Sequence, residues 1–127
     1  MNLLAIATGG ALGALLRYGF SSLIAGFTSS TLPLGTIGVN VAGSFVIGLL
    51  SGVFDQLMVH AHFRTFLLIG FIGAFTTFST YMIESVRLFQ EGQVGLAFAN
   101  LLLSNVLGLA CVFAGFAAAR AFFAVLN

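Results

Sequence analysis

The chain has 127 residues, of which 60% are hydrophobic and only 6% are charged, and its mean hydropathy is +1.16. A soluble domain carries about 25% charged residues, so this composition excludes a soluble globular protein and indicates an integral membrane protein. The formal net charge of +1 provides no basic patch for nucleic acid. We therefore expect a protein that is embedded in the lipid bilayer and binds no nucleic acid.

Four apolar stretches are long enough to cross the membrane as helices, which takes roughly 20 residues each. They cover about 2–27, 34–54, 63–89 and 94–125. The connections are short, so neighbouring helices must be antiparallel. The sequence therefore predicts one all-α transmembrane domain, residues 1–127, with almost nothing outside the bilayer. Its start, MNLLAIATGG, lacks the basic region and cleavage site of a secretory signal, and we interpret it as a retained helix.

Small residues mark the helix faces that can approach one another closely. Gly9 and Gly13 lie four residues apart on the first helix, and Gly48 and Gly52 do so on the second. Such small-xxx-small faces let helix backbones pack closely in membranes. We expect most of the sixteen glycines to serve packing rather than ligand binding.

Polar, uncharged residues form stripes on the second and fourth helices. Spacings of three or four residues place them on one helix face, and the members are Thr36, Asn40, Ser44, Gly48 and Ser51, then Asn100, Ser104 and Gly108. Side chains of this kind can hold helices together by hydrogen bonds. They can also line a polar pathway, and both interpretations stay open at this point.

The third helix contains the most unusual stretch, GFIGAFTTFSTY at 70–81. Five hydroxyl side chains are nearly consecutive: Thr76, Thr77, Ser79, Thr80 and Tyr81. An α-helix turns about 100° per residue, so these groups cannot all face one neighbour. Because unsatisfied polar groups are costly in lipid, either protein surrounds this segment on several sides or the helix breaks here.

The arginines are distributed evenly between the two sides of the membrane. Arg64 and Arg120 lie near one side, whereas Arg17 and Arg87 lie near the other, and the chain has no lysine. The positive-inside rule orients a protein through an excess of such residues, which is absent here. The sequence therefore predicts insertion in both orientations. A dual-topology subunit can pair with its inverted copy through a two-fold axis in the membrane plane.

Metal, redox and hydrolytic sites have little support in the sequence. His60 and His62 lie with Asp55 in a polar loop, one ligand short of a usual metal site. Cys111 lies in an apolar run and is expected to be a packed thiol. Both histidines are outside the spans, so no Ser–His–acid set forms within them. We expect no enzyme.

Glu84 is the one carboxylate expected within the membrane region. Arg87, three residues later, or Arg17 could pair with it in a structural role. Alternatively, a lone carboxylate of this kind could serve a proton-coupled exchanger. We favour the structural pairing.

The types of hydrogen-bond donor indicate which kind of ion a polar pathway would conduct. Hydroxyls and amides donate to an anion without holding it as tightly as a fixed arginine does. Aromatic rings have positive edges, so Phe75, Phe78 and Tyr81 can contact a small anion edge-on. Such a lining suits a small, hard, hydrated anion that must both enter and leave.

Three motifs resemble those of the Fluc (CrcB) family of fluoride channels. They are GGALGALLRY at 9–18, GTIGVNVAGSFVIG at 35–48 and GFIGAFTTFST at 70–80. The resemblance implies an antiparallel homodimer of dual-topology subunits with two pores. It also implies a third helix that breaks near the membrane centre. Backbone carbonyls of Gly73 and Thr76 would hold a structural sodium ion on the dimer axis, and glycine would tolerate the broken backbone.

The resemblance also assigns pore roles to individual residues. Its pore aromatics correspond to Phe78 and Tyr81, its pore amide to Asn40, and its vestibule arginine to Arg17. Its pore hydroxyls correspond to Ser79, Thr80 and Ser104. Three positions depart from the family pattern: Tyr81 replaces a usual phenylalanine, Asn100 a common tyrosine, and Gly108 a frequent serine.

The function that we expect is passive export of fluoride across the cell inner membrane. One rival is a small four-helix multidrug exporter, which depends on a glutamate deep in its first helix. No carboxylate is present in that helix here. The other rival is a membrane assembly subunit without transport activity, against which the polar stripes on three helices argue.

Overall fold

Helices account for nearly all of residues 2–126, the part of the chain that the computed structural model describes. Helix α1 spans Asn2–Gly26 and α2 spans Leu34–Gln56. The third span consists of α3 (Ala61–Arg64), a π-helical segment (Thr65–Ile72), α4 (Gly73–Phe75) and α5 (Phe78–Gln90), and α6 covers Val94–Leu126. No strand occurs among the described residues. The prediction of four spanning helices is confirmed, since four are long and apolar enough to cross a membrane.

The ends of the helices follow from local sequence. Pro33, which has no N–H to donate, directly precedes α2. After α5, Gly92 adopts a φ of +75°, a conformation that glycine reaches without a steric penalty. The N–H groups of Gly92 and Gln93 then bond to Phe89 O at 3.1 Å and Leu88 O at 2.8 Å, which closes the end of α5.

Glycines bring α1 into close contact with the π-helical segment. A Cβ atom at Gly9 would lie 2.5 Å from Phe66 O, and one at Gly13 would lie 2.1 Å from Phe71 O. The α2–α6 contact is equally close, since a Cβ at Gly48 would lie 2.2 Å from Val112 O. These distances are too short for any side chain, so the predicted close-packing role of the glycines is confirmed.

The spans pack mainly as pairs that are not consecutive in the chain, the first with the third and the second with the fourth. Helix α1 packs mainly on the π-helical segment, α2 packs mainly on α6, and α5 also contacts α6. The Asn2 side chain hydrogen-bonds to His62 Nδ1 on α3, which places the start of α1 beside the start of the third span. Many large apolar side chains on the outside of the bundle are exposed, as lipid-facing residues must be.

Candidate functional site

The third span is interrupted at Thr76 and Thr77. Both residues are extended, with φ and ψ of −80° and 157° at Thr76 and −145° and 119° at Thr77. The bend is modest, and the pieces on either side together form one span from Ala61 to Gln90. The expected interruption is therefore present. It consists of two residues that leave the helical hydrogen-bond pattern.

Asn40 on α2 satisfies the backbone at this interruption. Its Oδ1 accepts a hydrogen bond from Thr77 N at 2.7 Å, and its Nδ2 donates to Thr77 O at 2.8 Å. Both backbone groups of Thr77 are therefore bonded by a single side chain. Without Asn40, the Thr77 N–H would lack a partner in a region where such a loss is expensive. The second N–H of the Asn40 amide is left for another acceptor.

The hydroxyl of Thr77 caps the beginning of α5. Its Oγ1 accepts from Thr80 N at 3.3 Å and donates to Thr80 Oγ1 at 2.9 Å. Threonine at an N-cap supplies an acceptor to an N–H that the helix cannot satisfy. Thr77 was not among the predicted site residues, although its position in the hydroxyl run and three residues before Thr80 is a recognisable capping signal.

Gly73 was expected to be glycine because it tolerates the broken backbone, and this expectation is wrong. Its φ and ψ are −60° and −33°, which is ordinary right-handed helix, so it does not supply conformational freedom to the break. A Cβ atom at Gly73 would meet only Leu68 O, at 3.7 Å, so packing within the chain does not require glycine either. Gly73 is instead exposed on the outside of the single chain.

Two cavities meet at Thr77. One, of about 250 Å³, is bordered by Asn40, Gly43, Ser44, Ile47, Ile72, Thr76, Thr77 and Phe78. The other, of about 360 Å³, is bordered by Ala14, Arg17, Tyr18, Ser21, Ser22, Thr36, Val39, Thr77 and Thr80. The polar members of both linings are hydroxyls, one amide and one guanidinium, and neither lining includes a carboxylate. Both cavities therefore offer donors to an anion.

Arg17 reaches from α1 toward the break. Its Nη1 lies 3.5 Å from Thr76 O, a long hydrogen bond, and its side chain is half-buried in the larger cavity. The guanidinium thus supplies the positive charge of that cavity. Its placement next to the interruption was not evident from sequence, because it depends on how α1 and the third span pack.

Phe78 and Tyr81 contact each other but have very different surroundings. Their ring centroids are 5.7 Å apart with an interplanar angle of 67°, an edge-to-face contact. The Phe78 side chain is 72% exposed and borders the smaller cavity, whereas Tyr81 is only 4% exposed. Ser79 and Thr80, between them, are exposed. Phe78 is therefore the more accessible of the two rings in a single chain.

A hydrogen-bond network joins α5 to α6 behind these rings. Asn100 Nδ2 donates to Ser85 Oγ at 2.9 Å, and Ser85 Oγ donates to Tyr81 O at 2.9 Å. Ser104 Oγ donates to Asn100 Oδ1 at 3.5 Å, and Asn105 Nδ2 donates to Tyr81 Oη at 2.8 Å. Asn100 therefore links α6 to α5, whereas Ser104 bonds to Asn100 within α6. Ser85 and Asn105 were not predicted as part of the site.

Glu84 accepts a hydrogen bond from Thr36 rather than from an arginine. Its Oε1 lies 2.8 Å from Thr36 Oγ1, and its buried Oε2 has no hydrogen-bond partner among residues 2–126. The expected pairing with Arg87 or Arg17 is therefore wrong for the described residues. Both Thr36 and Glu84 border a further cavity of about 180 Å³ toward the loop after α1.

Four apolar spans, one of them interrupted, with cavities bordered by hydroxyl, amide and guanidinium groups, define a multi-pass membrane protein with polar groups in its interior. Residues 4–116 match the profile of a family described as "CrcB-like protein, Camphor Resistance (CrcB)". The chain belongs to this family, which confirms the resemblance inferred from its three motifs.

Similar proteins carry the name "Fluoride-specific ion channel FluC". The protein from Methylococcus capsulatus is 46% identical over 121 residues, which cover 94% of this chain and 53% of that relative. The protein from Salinibacter ruber is 47% identical over 115 residues, covering 91% and 86%. The one from Maridesulfovibrio salexigens is 42% identical over 116 residues, covering 91% and 92%. The chain thus spans about half of the first relative and most of the other two.

Proposed function

We propose that this chain is the subunit of a fluoride-specific channel that lets fluoride leave the cell passively across the inner membrane. The observation that carries the proposal is the pair of cavities that meet at Thr77, because their polar lining consists of hydrogen-bond donors and lacks carboxylates. Such a lining stabilises a small anion while leaving it able to depart. The three similar proteins described above are named fluoride-specific ion channels.

Fluoride would pass beside the interruption at Thr76 and Thr77, on the side where the hydrogen-bond donors lie. We assign this pathway to the residues Asn40, Phe78, Ser79, Thr80, Tyr81 and Ser104. Asn40 would donate the N–H that it does not use for Thr77 O, and Phe78 would offer its exposed ring edge. Arg17 would attract anions into the larger cavity and raise their local concentration.

The channel would be an antiparallel homodimer of dual-topology subunits. Ser79 and Thr80 are exposed in the single chain although they belong to a membrane span. The same is true of the backbone at Gly73. Because lipid cannot satisfy such groups, a second copy that covers this face of the third span gives them partners. The even distribution of arginines is consistent with an inverted copy.

The carbonyls of Gly73 and Thr76 fit a role as sodium ligands. In a regular helix Gly73 O would accept from Thr77 N, but that N–H donates to Asn40 Oδ1 at 2.7 Å. Thr76 O would accept from Thr80 N, which instead bonds to Thr77 Oγ1 at 3.3 Å. The interruption thus removes the helical donor of Gly73 O and leaves Thr76 O with the long 3.5 Å hydrogen bond from Arg17 Nη1 in place of its helical donor, and two copies would supply four such hard oxygens to a structural alkali cation.

A proton-coupled multidrug exporter is the main rival function. Helix α1 lacks the carboxylate on which such exporters depend, and Glu84 is bonded to Thr36. A channel performs no covalent chemistry, so we assign no enzymatic activity. A membrane assembly subunit without transport would have no use for donor-lined cavities beside a broken helix.

Fluoride efflux from liposomes containing the purified protein tests this function. With a potassium ionophore to balance charge, we expect rapid efflux that is unchanged when the proton gradient is collapsed. Efflux that stops without a proton gradient would favour the exchanger, and no efflux at all would favour the assembly subunit. A reporter fused to the C-terminus separately tests topology, since signal from one compartment alone would contradict dual insertion.

A further inference from the structure

Helix α6 holds the phenol of Tyr81 by two hydrogen bonds. Tyr81 Oη accepts from Asn105 Nδ2 at 2.8 Å and donates to Leu101 O at 3.3 Å. The same Asn105 Nδ2 also donates to Leu101 O at 2.7 Å, which fixes the amide on its own helix. Asn105 therefore supplies the shorter of the two contacts that hold the hydroxyl in place.

Fixing the hydroxyl also fixes the ring. The Tyr81 side chain is almost completely buried, and its ring meets Phe78 edge-to-face at 5.7 Å. If the hydroxyl left α6, the ring could rotate, and this contact would change. Phe78 borders the smaller cavity, and the orientation of the Tyr81 ring against it thus depends on the Asn105 amide on α6.

Asn105 has no evident role in the packing of the single chain. It is exposed on α6 among apolar residues that are exposed as well, including Leu102, Val106 and Leu109. A polar amide at such a place in a membrane span is costly unless it is bonded. The bond to Tyr81 is its one side-chain hydrogen bond to another helix among the described residues.

We propose that Asn105 is a positioning residue that keeps the Tyr81 hydroxyl bound to α6 and away from the permeating anion. This inference rests on the proposed channel function. A free phenol is a much stronger donor to an anion than a ring edge is, and charge-assisted hydrogen bonds are about twice as strong as neutral ones. An unrestrained hydroxyl beside the pathway would retain fluoride and slow its release, whereas conduction requires weak binding.

A double-mutant cycle tests this role through rescue. The unsubstituted protein, Asn105→Leu, Tyr81→Phe and the double variant are reconstituted, and fluoride efflux is measured over a range of fluoride concentrations. We expect Asn105→Leu to lower the maximal rate and the half-saturating concentration, each by about fivefold, the factor that one net hydrogen bond supplies. Tyr81→Phe supplies the reference rate of a channel that lacks the hydroxyl, and adding Asn105→Leu to it should change that rate by no more than about twofold, since the group that needs the restraint is gone.

The double variant decides between positioning and packing. A double variant whose maximal rate lies within about twofold of that of Tyr81→Phe supports the proposal, because only a role through the hydroxyl is cancelled by removing it. A double variant slowed relative to Tyr81→Phe by as much as Asn105→Leu is slowed relative to the unsubstituted protein, or normal efflux in Asn105→Leu itself, would overturn the proposal and leave the channel function intact. Absence of fluoride efflux in the unsubstituted protein would overturn the channel function, and the positioning role with it.

Tyrosine fluorescence reports the hydrogen bond without relying on transport. The chain has two tyrosines and no tryptophan, so Tyr81 is the only strong intrinsic fluorophore in Tyr18→Phe. In this background we expect Asn105→Ala, a smaller change than Asn105→Leu, to shift the emission intensity of Tyr81. Emission that is unchanged in the folded protein would show that Asn105 does not hold the phenol, and would overturn the proposal even if the leucine variant fails to fold.

Discussion

Two regions of the third span use small and polar residues for opposite purposes. Where the π-helical segment meets α1, the backbones touch so closely that Gly13 has no room for a methyl group. Four residues after the segment ends, the helix is interrupted at Thr76, and Gly73, which precedes the interruption, has free space around its Cα. The first region is a tight apolar seam, whereas the second leaves polar groups accessible. The glycines of this chain therefore have different structural roles, and the role of each depends on the groups around it.

The largest effect is expected from Asn40→Asp at the open region. The carboxylate would keep an acceptor for Thr77 N but would lose the donor to Thr77 O and add a negative charge beside the smaller cavity. We expect fluoride efflux to fall by about a hundredfold or more, since an uncompensated charge in such a site repels anions by several kcal/mol. Ser51→Ala, on the same helix but outside both cavity linings, is the control. Normal efflux in Asn40→Asp would remove Asn40 from the pathway.

Phe78→Ile should abolish most of the flux while leaving folding intact. Isoleucine keeps an apolar side chain but removes the positive ring edge, and the Phe78 ring is largely exposed, so its loss creates no cavity in the subunit core. We expect efflux to fall at least tenfold, a change equivalent to about 1.4 kcal/mol, with an unchanged elution volume of the purified protein. Phe113→Ile is a matched control, because Phe113 is 66% exposed on α6 and lies outside both cavities that meet at Thr77. Equal loss in both variants would assign the effect to lipid packing.

The pair Gly13→Ala and Gly73→Ala separates the two regions directly. A methyl group at Gly13 would lie 2.1 Å from Phe71 O, so α1 would have to move away, and we expect a loss of roughly 1–3 kcal/mol in folding stability. The same change at Gly73 should leave the stability of the isolated subunit within about 0.5 kcal/mol. Thermal unfolding in detergent, compared for the two proteins, measures this difference. Equal destabilisation by Gly13→Ala and Gly73→Ala would contradict the distinction between the closely packed region at Gly13 and the open region at Gly73.

The smallest effect is expected from Gly108→Ser on α6. A Cβ atom at Gly108 would lie 3.4 Å from Ser44 Oγ, close to ordinary contact, and the new hydroxyl could extend the polar lining toward Ser44. We expect efflux to change by no more than about twofold and folding stability to rise by a few tenths of a kcal/mol, since serine is a better helix former than glycine. A tenfold loss of efflux would show that Gly108 needs its small size.

The sequence predicted the spans and the approximate position of the break because both depend on local composition. Four apolar runs require four helices, and five hydroxyl side chains among the six residues 76–81 conflict with one regular helix. The family resemblance added the pore residues. Which residues leave the helix was not predicted correctly in detail: Gly73 stays helical, and the extended residues are Thr76 and Thr77.

Contacts between helices were the part that the sequence could not provide. The bonds of Asn40 with Thr77 and of Asn105 with Tyr81 join residues 37 and 24 positions apart. Their formation depends on the rotation and depth of each helix, which a stripe of polar residues does not determine. The arginine contact with Thr76 O and the bond of Glu84 with Thr36 were missed for the same reason.

The central claim is that fluoride passes the donor groups beside the interruption at Thr76 and Thr77. The most direct measurement compares fluoride and chloride efflux from liposomes that contain either the unsubstituted protein or Phe78→Ile. We predict rapid fluoride efflux and negligible chloride efflux for the unsubstituted protein, with the fluoride efflux lost in the variant. Equal efflux of the two anions, or fluoride efflux that Phe78→Ile leaves unchanged, would contradict the account.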